Sequence, residues 1–186
     1  FYNFYIMSIN PNEIPVGVVG LGLMGCSITT CLLMAGHQVK AIAPVSIDMT
    51  TAEPRIRKHL LKSREEGLVT EAPEYYLKNL VITEDYSSLK PCKLVIECTL
   101  EDEAIKKSVY SKIETEIADD ALMTSNTSAI PISILQKLTA HPERFFGLHW
   151  AEPSHTSRFL EVICGELSDI KKGEYLYDLS HLWGKE

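Results

Sequence analysis

A histidine and a glutamate, His149 and Glu161, are the pair of residues best suited to proton transfer. They lie twelve positions apart, each in a short apolar segment typical of a strand. An imidazole, whose unperturbed pKa is about 6.5, accepts a proton at neutral pH. If the strands are neighbours, the carboxylate fixes the imidazole tautomer and stabilises its protonated form. The pair is a candidate for a general base and its orienting carboxylate, and the alternatives are a structural histidine and a surface ion pair.

A glycine-rich turn follows the first predicted strand and opens the first predicted helix. Its residues match the pattern G-x-G-x-x-G and are Gly20, Leu21, Gly22, Leu23, Met24 and Gly25. In this pattern the first glycine allows the tight turn, the second lets the backbone approach a pyrophosphate, and the third lets the helix pack on the strand. The helix N-terminus then offers free N–H groups to the anion. The turn predicts a dinucleotide site, the alternative being a purely structural turn.

One element of a dinucleotide site is missing from the sequence. The second strand of such a fold normally ends on an Asp or Glu that binds the adenosine ribose, about 20 residues after the glycines. Here Ala43 occupies this position. Without the carboxylate, affinity for NAD should fall and discrimination against NADP should relax. NAD remains the expected cofactor, and NADP is the alternative that the missing carboxylate leaves open. Ser46, Thr50 and Arg55 are candidates for contacting a 2′-phosphate.

Short apolar segments alternate with helical patterns along the rest of the chain. Strands are predicted at residues 16–20, 38–42, 81–82, 94–98, 122–124, 145–149 and 160–163. Helices are predicted at residues 24–35, 53–66, 73–77 and 130–138, and from residue 102 onwards. This alternation is typical of an α/β fold with a Rossmann-type, doubly wound and mostly parallel sheet. We predict a single domain at residues 14–186, preceded by an N-terminal extension at residues 1–13.

The composition limits the classes of function. The 186 residues carry 18 Lys+Arg and 25 Asp+Glu, a formal net charge of −7. This argues against nucleic acid as a partner, because no basic excess displaces counterions from a phosphate backbone. No apolar run reaches the ~18 residues of a membrane span, so no membrane partner is expected. Five cysteines without a CxxC pair indicate free thiols in a reducing, cytoplasmic compartment, and no His or Cys spacing indicates a metal site.

Four further segments follow the glycine turn in a characteristic order. They are residues 94–106, which contain Glu97, Glu101 and Lys106; Ser125-Asn126-Thr127-Ser128; residues 144–149, which end in Gly-Leu-His; and Leu-Glu-Val-Ile at residues 160–163. Together with the turn they resemble the 3-hydroxyacyl-CoA dehydrogenase family. The resemblance covers residues 16–184 and corresponds to the N-terminal NAD-binding domain of that family.

The resemblance implies an oxidoreductase that converts (S)-3-hydroxyacyl-CoA into 3-oxoacyl-CoA by hydride transfer to NAD, as in fatty acid β-oxidation. His149 would be the general base oriented by Glu161, and Ser128 would hydrogen-bond the substrate oxygen and the nicotinamide side. Glu101 and Lys106 match family residues that contact the cofactor ribose. Ser128 is also placed to cap the following helix. Glu101 and Lys106 are also compatible with solvated charges. The implied partners are an acyl-CoA substrate and, in the full-length protein, a second copy in a homodimer.

Two departures from the family pattern bear on activity. The family motif continues His-Phe-Phe-Asn-Pro, whereas this sequence has His149-Trp150-Ala151-Glu152-Pro153, so Glu152 replaces an Asn of the substrate site. An ionised carboxylate cannot donate the hydrogen bond of an amide. The family also has a C-terminal helical domain that completes the substrate cleft and is absent from this chain. We expect an exposed apolar patch where such a domain would dock.

Two other functions remain open. A non-catalytic nucleotide-binding module would keep the fold and lose turnover. Ala43, Glu152 and the absence of the second domain from this chain motivate this alternative. A β-hydroxyacid dehydrogenase of the 3-hydroxyisobutyrate type shares the glycine turn and the Ala35-Gly36-His37 that follows it. This second alternative does not account for the Ser-Asn-Thr-Ser and Gly-Leu-His segments.

Overall fold

The apolar segments of the chain form a seven-stranded sheet in a computed structural model, which describes residues 9–186. The strands are β1 (Val16–Val19), β2 (Val39–Ile42), β3 (Leu80–Thr83), β4 (Leu94–Glu97), β5 (Leu122–Ser125), β6 (Phe145–Trp150) and β7 (Leu160–Cys164). Their order in the sheet is β3-β2-β1-β4-β5-β6-β7. Strands β1 to β6 run parallel, and β7 pairs antiparallel with β6. The predicted α/β fold with a mostly parallel sheet is confirmed.

In the described part of the chain, five helices lie in the connections between the parallel strands and a sixth follows β7. They are α1 (Leu23–Met34), α2 (Asp48–Glu65), α3 (Pro73–Leu77), α4 (Glu103–Glu116), α5 (Ile132–Leu135) and α6 (Ile170–His181). Short 3-10 helices lie at Pro11–Glu13, Tyr86–Leu89, Gln136–Leu138 and Pro142–Arg144. Most of the predicted N-terminal extension lies outside the described residues, and its remainder contains the first of these 3-10 helices.

Three helices differ from the sequence prediction. Helix α2 begins at Asp48 rather than at residue 53 and carries Pro54 in its interior. Proline favours the first turn of a helix, so the prediction placed the start too late. The predicted helix at residues 130–138 is one turn of α5 followed by 3-10 helix, and α6 was not predicted. None of these differences moves a strand.

The sheet is covered on both faces, as a doubly wound fold requires. One face packs against α1 and α2, in which Ile28, Leu32 and Ile56 are fully buried. The other face packs against α4, which contributes Val109 and Ile113. The removal of this apolar surface from water is the main contribution to the stability of the domain. It also holds in place the edge of the sheet at which the parallel strands end.

The five cysteines are free thiols. Cys26, Cys31 and Cys92 are buried, and Cys164 is exposed. Burial raises the pKa of Cys26 to about 11 and that of Cys92 to about 12. These two thiols are therefore protonated and unreactive at neutral pH. Across residues 9–186, no helix is both long enough and apolar enough to cross a membrane.

Two buried histidines are held in the neutral form. The Nδ1–H of His37 donates to the carbonyl of Ile14 (2.9 Å), and its Nε2 accepts the indole N–H of Trp183 (2.8 Å). A proton on Nε2 would break the second bond, and burial lowers the pKa of His37. The ring of His155 stacks on that of His59 with centroids 4.5 Å apart. Burial, more than the neighbouring cations, lowers the pKa of His155 to about 4.

Protonation of His155 should therefore cost stability in acid. Its pKa in the folded chain is below the ordinary value of about 6.5, so the unfolded chain takes up the proton first as the pH falls. The stability that the neutral ring provides is present above pH ~6.5 and is lost between about pH 6.5 and 4. We expect the free energy of unfolding of His155→Gln, measured in urea, to fall less steeply across this window than that of the wild type. The exposed His141→Gln is the control, and equal slopes for His155→Gln and wild type would contradict the prediction.

Candidate active site

The carboxyl ends of the parallel strands meet at one edge of the sheet. From β1 the chain passes through α1 to β2 on one side, and β4 lies on the other side of β1. Such a reversal of strand order opens a crevice between the two strands, and ligands of open α/β sheets bind there. The glycine turn follows β1, residues 98–101 follow β4, the Ser-Asn-Thr-Ser segment ends β5, and His149 lies near the end of β6. The predicted site residues therefore share this edge.

The glycine turn has the backbone geometry that an anion site requires. Gly20 has a φ of +97°, and a Cβ there would lie 2.8 Å from the carbonyl oxygen of Cys98. A Cβ on Gly25 would overlap the carbonyl oxygen of Gly20. Gly22 is the N-cap of α1, and it has open space at its Cβ position and no side-chain cap. The first N–H groups of α1 thus border an open cradle, which an anion can enter and a side chain would fill.

A cavity of about 370 Å³ lies beside the turn. It is enclosed by the turn, the segment after β2, the start of α2, the segment after β4 and one side of α4. The lining residues are Gly20, Leu21, Gly22, Pro44, Val45, Asp48, Cys98, Thr99, Leu100, Ile105 and Val109. Most of this lining is apolar, which suits the flat faces of a nucleobase. The cavity and the cradle at Gly22 together fit a dinucleotide.

His149 and Glu161 are in contact. The antiparallel pairing of β6 with β7 places them opposite each other, and the imidazole Nδ1 lies 2.7 Å from Glu161 Oε2. An ionised carboxylate only accepts, so Nδ1 donates its hydrogen and Nε2 is left as a proton acceptor. The imidazole is 29% exposed, and the ring of Phe159 meets it edge-on with centroids 6.1 Å apart. The arrangement provides an oriented, partly exposed imidazole.

Glu101 ties the Ser-Asn-Thr-Ser segment to the start of α4. Its carboxylate accepts the Thr127 hydroxyl (2.8 Å) and the backbone N–H of Ser128 (2.8 Å). Ser128 itself is exposed, with its hydroxyl available to a ligand. The side-chain oxygen of Asn126 accepts the backbone N–H of Trp150 (2.9 Å), which links this segment to the end of β6. Sequence reasoning gave Asn126 no role, and its structural role is to hold the two strand ends together.

A buried ion pair joins β4 to α4. Lys106 Nζ lies 2.9 Å from each carboxylate oxygen of Glu97, and the two side chains are 1% and 0% exposed. The same carboxylate accepts the hydroxyl hydrogens of Thr99 (2.6 Å), Ser125 (2.7 Å) and Tyr110 (3.1 Å). The carboxylate is therefore fully bonded although it has no access to water, as a buried charge requires.

The interpretation of Lys106 as a solvated charge is wrong. The side chain is buried against Glu97, and its second acidic neighbour is Glu101, whose Oε2 lies 3.8 Å from Nζ. Glu101 is partly exposed and Lys106 is not, so the lysine reaches the crevice only through Glu101. The sequence held a signal for this pair, because Glu97 stands in an otherwise apolar strand and a buried carboxylate needs a cationic partner.

Glu152 lies on the side of the crevice formed by α1 and α2. It is exposed, and its charge acts on two groups there. Burial is the main cause of the raised pKa of Cys26, and the charge of Glu152 raises it further. Burial lowers the pKa of His59, and the charge of Glu152 opposes that effect. No described hydrogen bond or ion pair joins Glu152 to His149, so the structure does not bring these two predicted site residues into contact.

Comparison with known proteins identifies the family. The profile of the family described as "3-hydroxyacyl-CoA dehydrogenase, NAD binding domain" matches residues 15–186. The chain belongs to the 3-hydroxyacyl-CoA dehydrogenase family. It is 36% identical over 150 residues to the 3-hydroxybutyryl-CoA dehydrogenase of Mycobacterium tuberculosis, covering 80% of this chain and 52% of that protein. It is 31% identical over 172 residues to the 3-hydroxyadipyl-CoA dehydrogenase of Escherichia coli, covering 92% of this chain and 36% of the relative.

Solved structures of the family share the fold. The crystal structure of FadB2 of Mycobacterium tuberculosis matches with a TM-score of 0.87 at 33% identity, over 92% of this chain and 61% of that chain. That of the (S)-3-hydroxybutyryl-CoA dehydrogenase PaaH1 of Ralstonia eutropha matches with the same TM-score, 0.87, at 26% identity and with the same coverage. The chain spans about half the length of the curated relatives it matches, and this part is the NAD-binding domain. The family match and the relatives support NAD as the cofactor.

Removing the cation from the buried pair should destabilise the domain. Lys106→Met leaves the Glu97 carboxylate buried without its counter-ion, which costs about 3–5 kcal/mol. We expect the free energy of unfolding in urea to fall by this amount. The double variant Glu97→Gln/Lys106→Met should recover part of the loss, because no unpaired charge remains. Lys107→Met, at the exposed neighbouring position, is the control, and a Lys106→Met protein as stable as the control would show that the pair is not buried.

Gly22→Ala should separate cofactor binding from folding. The added methyl group has open space in the folded chain but occupies the cradle that receives the pyrophosphate. We expect an unchanged thermal unfolding curve and at least about tenfold weaker NADH binding in a fluorescence titration. Gly25→Ala is the contrasting variant, because its methyl group overlaps the carbonyl of Gly20 and should destabilise the fold. Wild-type NADH affinity in Gly22→Ala would mean that the pyrophosphate binds elsewhere.

Proposed function

We propose that the chain supplies the NAD site and the general base of an enzyme that interconverts (S)-3-hydroxyacyl-CoA and 3-oxoacyl-CoA. The observation that supports this most directly is the 2.7 Å contact between His149 Nδ1 and Glu161 Oε2, at the same sheet edge as the glycine turn. Nucleotide binding alone has no need of an oriented imidazole. The relatives are dehydrogenases of 3-hydroxybutyryl-CoA and 3-hydroxyadipyl-CoA, so an acyl-CoA is the proposed substrate.

The proposed chemistry is a proton transfer coupled to a hydride transfer. In the oxidation direction, Nε2 of His149 accepts the proton of the substrate 3-hydroxyl, and the electron pair of that O–H bond forms the carbonyl. The hydrogen on C3 leaves with its electron pair, and bound NAD supplies the hydride acceptor. The imidazolium keeps its Nδ1–H on Glu161, whose carboxylate offsets the new positive charge. Reduction uses the same groups in reverse.

Ser128 is proposed to donate its hydroxyl hydrogen to the substrate oxygen. That bond stabilises the negative charge that develops on the oxygen as the proton leaves. Glu101 holds Ser128 by its backbone N–H, and Lys106 in turn stands 3.8 Å from Glu101. Because Lys106 is buried, we propose that Glu101 makes the cofactor ribose contact and that Lys106 acts as a positioning residue behind it.

Glu152 is the one substrate-site residue whose chemistry does not match the family. It follows His149 by three positions, where the family has an Asn that can donate a hydrogen bond. An ionised Glu152 cannot do so, and its charge disfavours an anionic ligand nearby. This observation supports the second candidate function, a nucleotide-binding module without turnover.

The full-length protein is proposed to be a cytoplasmic homodimer. Three large apolar side chains are exposed on segments around the crevice, namely Leu23, Leu100 and Phe159. Exposed apolar surface of this kind is commonly covered by a ligand or by another domain. We propose that the acyl-CoA and the family's helical domain cover it, and that the dimer forms through that second domain.

The test is NADH oxidation with acetoacetyl-CoA, using the product of the complete reading frame that encodes this chain. His149→Gln should lower kcat by about 10²–10⁴-fold, the usual contribution of a general base. Glu161→Gln should lower kcat as well, because an amide does not offset the imidazolium charge. His141 and Glu143 form a matched exposed pair at 3.6 Å, and the Gln variants of both should keep the wild-type kcat.

The outcomes distinguish the candidate functions. If the protein binds NADH but shows no turnover that depends on His149, the result would contradict the enzyme function and favour the binding module. Turnover of 3-hydroxyisobutyrate in place of an acyl-CoA would favour a β-hydroxyacid dehydrogenase. Full activity of His149→Gln would mean that another group takes the proton.

A further inference from the structure

The cavity beside the glycine turn lacks the carboxylate that a dinucleotide fold usually places at the end of β2. Ala43 stands there, 1% exposed, and donates its N–H to the carbonyl of Thr83 (2.9 Å). The usual carboxylate accepts hydrogen bonds from the adenosine ribose, whereas an NADP site accommodates a 2′-phosphate instead. The chain must either do without this contact or supply it from another position.

Asp48 is the next acidic residue along the chain and lines the same cavity. After Pro44 the chain turns, so that the N–H of Asp48 donates to the carbonyl of Val45 (2.9 Å) and Asp48 becomes the first residue of α2. It borders the cavity together with Gly20 and Gly22. No residue in the described part of the chain donates a hydrogen bond to its carboxylate. A carboxylate capable of accepting bonds therefore stands beside the cradle.

We propose that Asp48 takes the place of the missing carboxylate at the end of β2. Its oxygens accept hydrogen bonds from the adenosine ribose hydroxyls of NAD, and its charge disfavours the 2′-phosphate of NADP. The inference rests on NAD binding at the glycine turn and adds the residue that selects NAD. A ligand that enters a mainly apolar cavity removes water from this carboxylate, which is costly unless the ligand brings donors. The ribose hydroxyls are such donors, and a phosphate is not.

The side chains that would instead favour NADP are less well placed. The Thr50 hydroxyl donates to a backbone carbonyl at the start of α2 (3.0 Å), and neither Thr50 nor Ser46 lines the cavity. The Arg55 guanidinium donates to the carbonyl of Leu21 (3.4 Å). Arg55 does not line the cavity either, so it is not placed to hold a 2′-phosphate there.

The test is a fluorescence titration with NADH and with NADPH, which requires no turnover. Asp48→Asn keeps the size of the side chain and removes its charge. We expect the Kd for NADH to rise by about tenfold or more, and the ratio of the NADPH Kd to the NADH Kd to fall. Glu53→Gln removes an exposed charge from the same helix outside this cavity and should leave both constants unchanged.

Titration with 2′-deoxy-NADH separates a ribose contact from a general effect on α2. A negative charge in the first turn also stabilises a helix, and a disturbed helix would weaken every nucleotide alike. If Asp48 binds the ribose, Asp48→Asn should lose less affinity for the deoxy analogue than for NADH. Equal losses for the two ligands, or an unchanged NADH Kd, would overturn the assignment and leave the NAD site intact. A wild-type chain that does not bind NADH would overturn the proposed function as well.

Discussion

The Glu97 carboxylate is fully buried at the end of β4, and three segments that border the crevice are bonded to it. These are the segment after β4, through Thr99, the end of β5, through Ser125, and helix α4, through Lys106. Burial and the neighbouring carboxylate also raise the pKa of Tyr110, which keeps its hydroxyl a donor. A buried charge is tolerated only while its bonds are complete, so displacement of any of these segments carries a penalty. The network therefore favours one arrangement of the crevice.

The edge strand β7 explains how an acid that is distant in sequence meets the imidazole. A parallel strand after β6 would need a long crossover, whereas β7 returns directly and lies antiparallel. In this arrangement each β6 residue has one partner opposite it on the same face, and for His149 that partner is Glu161. A slip of one residue in this pairing would turn Glu161 to the other face of the sheet. The contact thus depends on the pairing register of a single pair of strands.

Local patterns were sufficient to predict most of the fold. The apolar runs located all seven strands, and the glycine spacing located the cradle, because both signals depend on periodicity and turn chemistry over a few residues. The contact of His149 with Glu161 was also predicted. The resemblance to the family implied a His–Glu pair at these positions, and the two residues lie on successive predicted strands. The pairing of Glu97 with Lys106 was not, because it depends on how a helix packs over a strand. Asp48 was missed because its place in the cavity depends on the path of the chain after β2.

The exposure of the His149–Glu161 pair limits what it can do in open water. Charges in contact at a protein surface stabilise each other by only ~0–1 kcal/mol. The same attraction grows as the effective dielectric falls. Phe159 shields one edge of the ring, and Ile163, two residues after Glu161 on the same face of β7, extends the exposed apolar surface. A ligand that covered this surface would exclude water from the pair and strengthen the attraction between the two side chains.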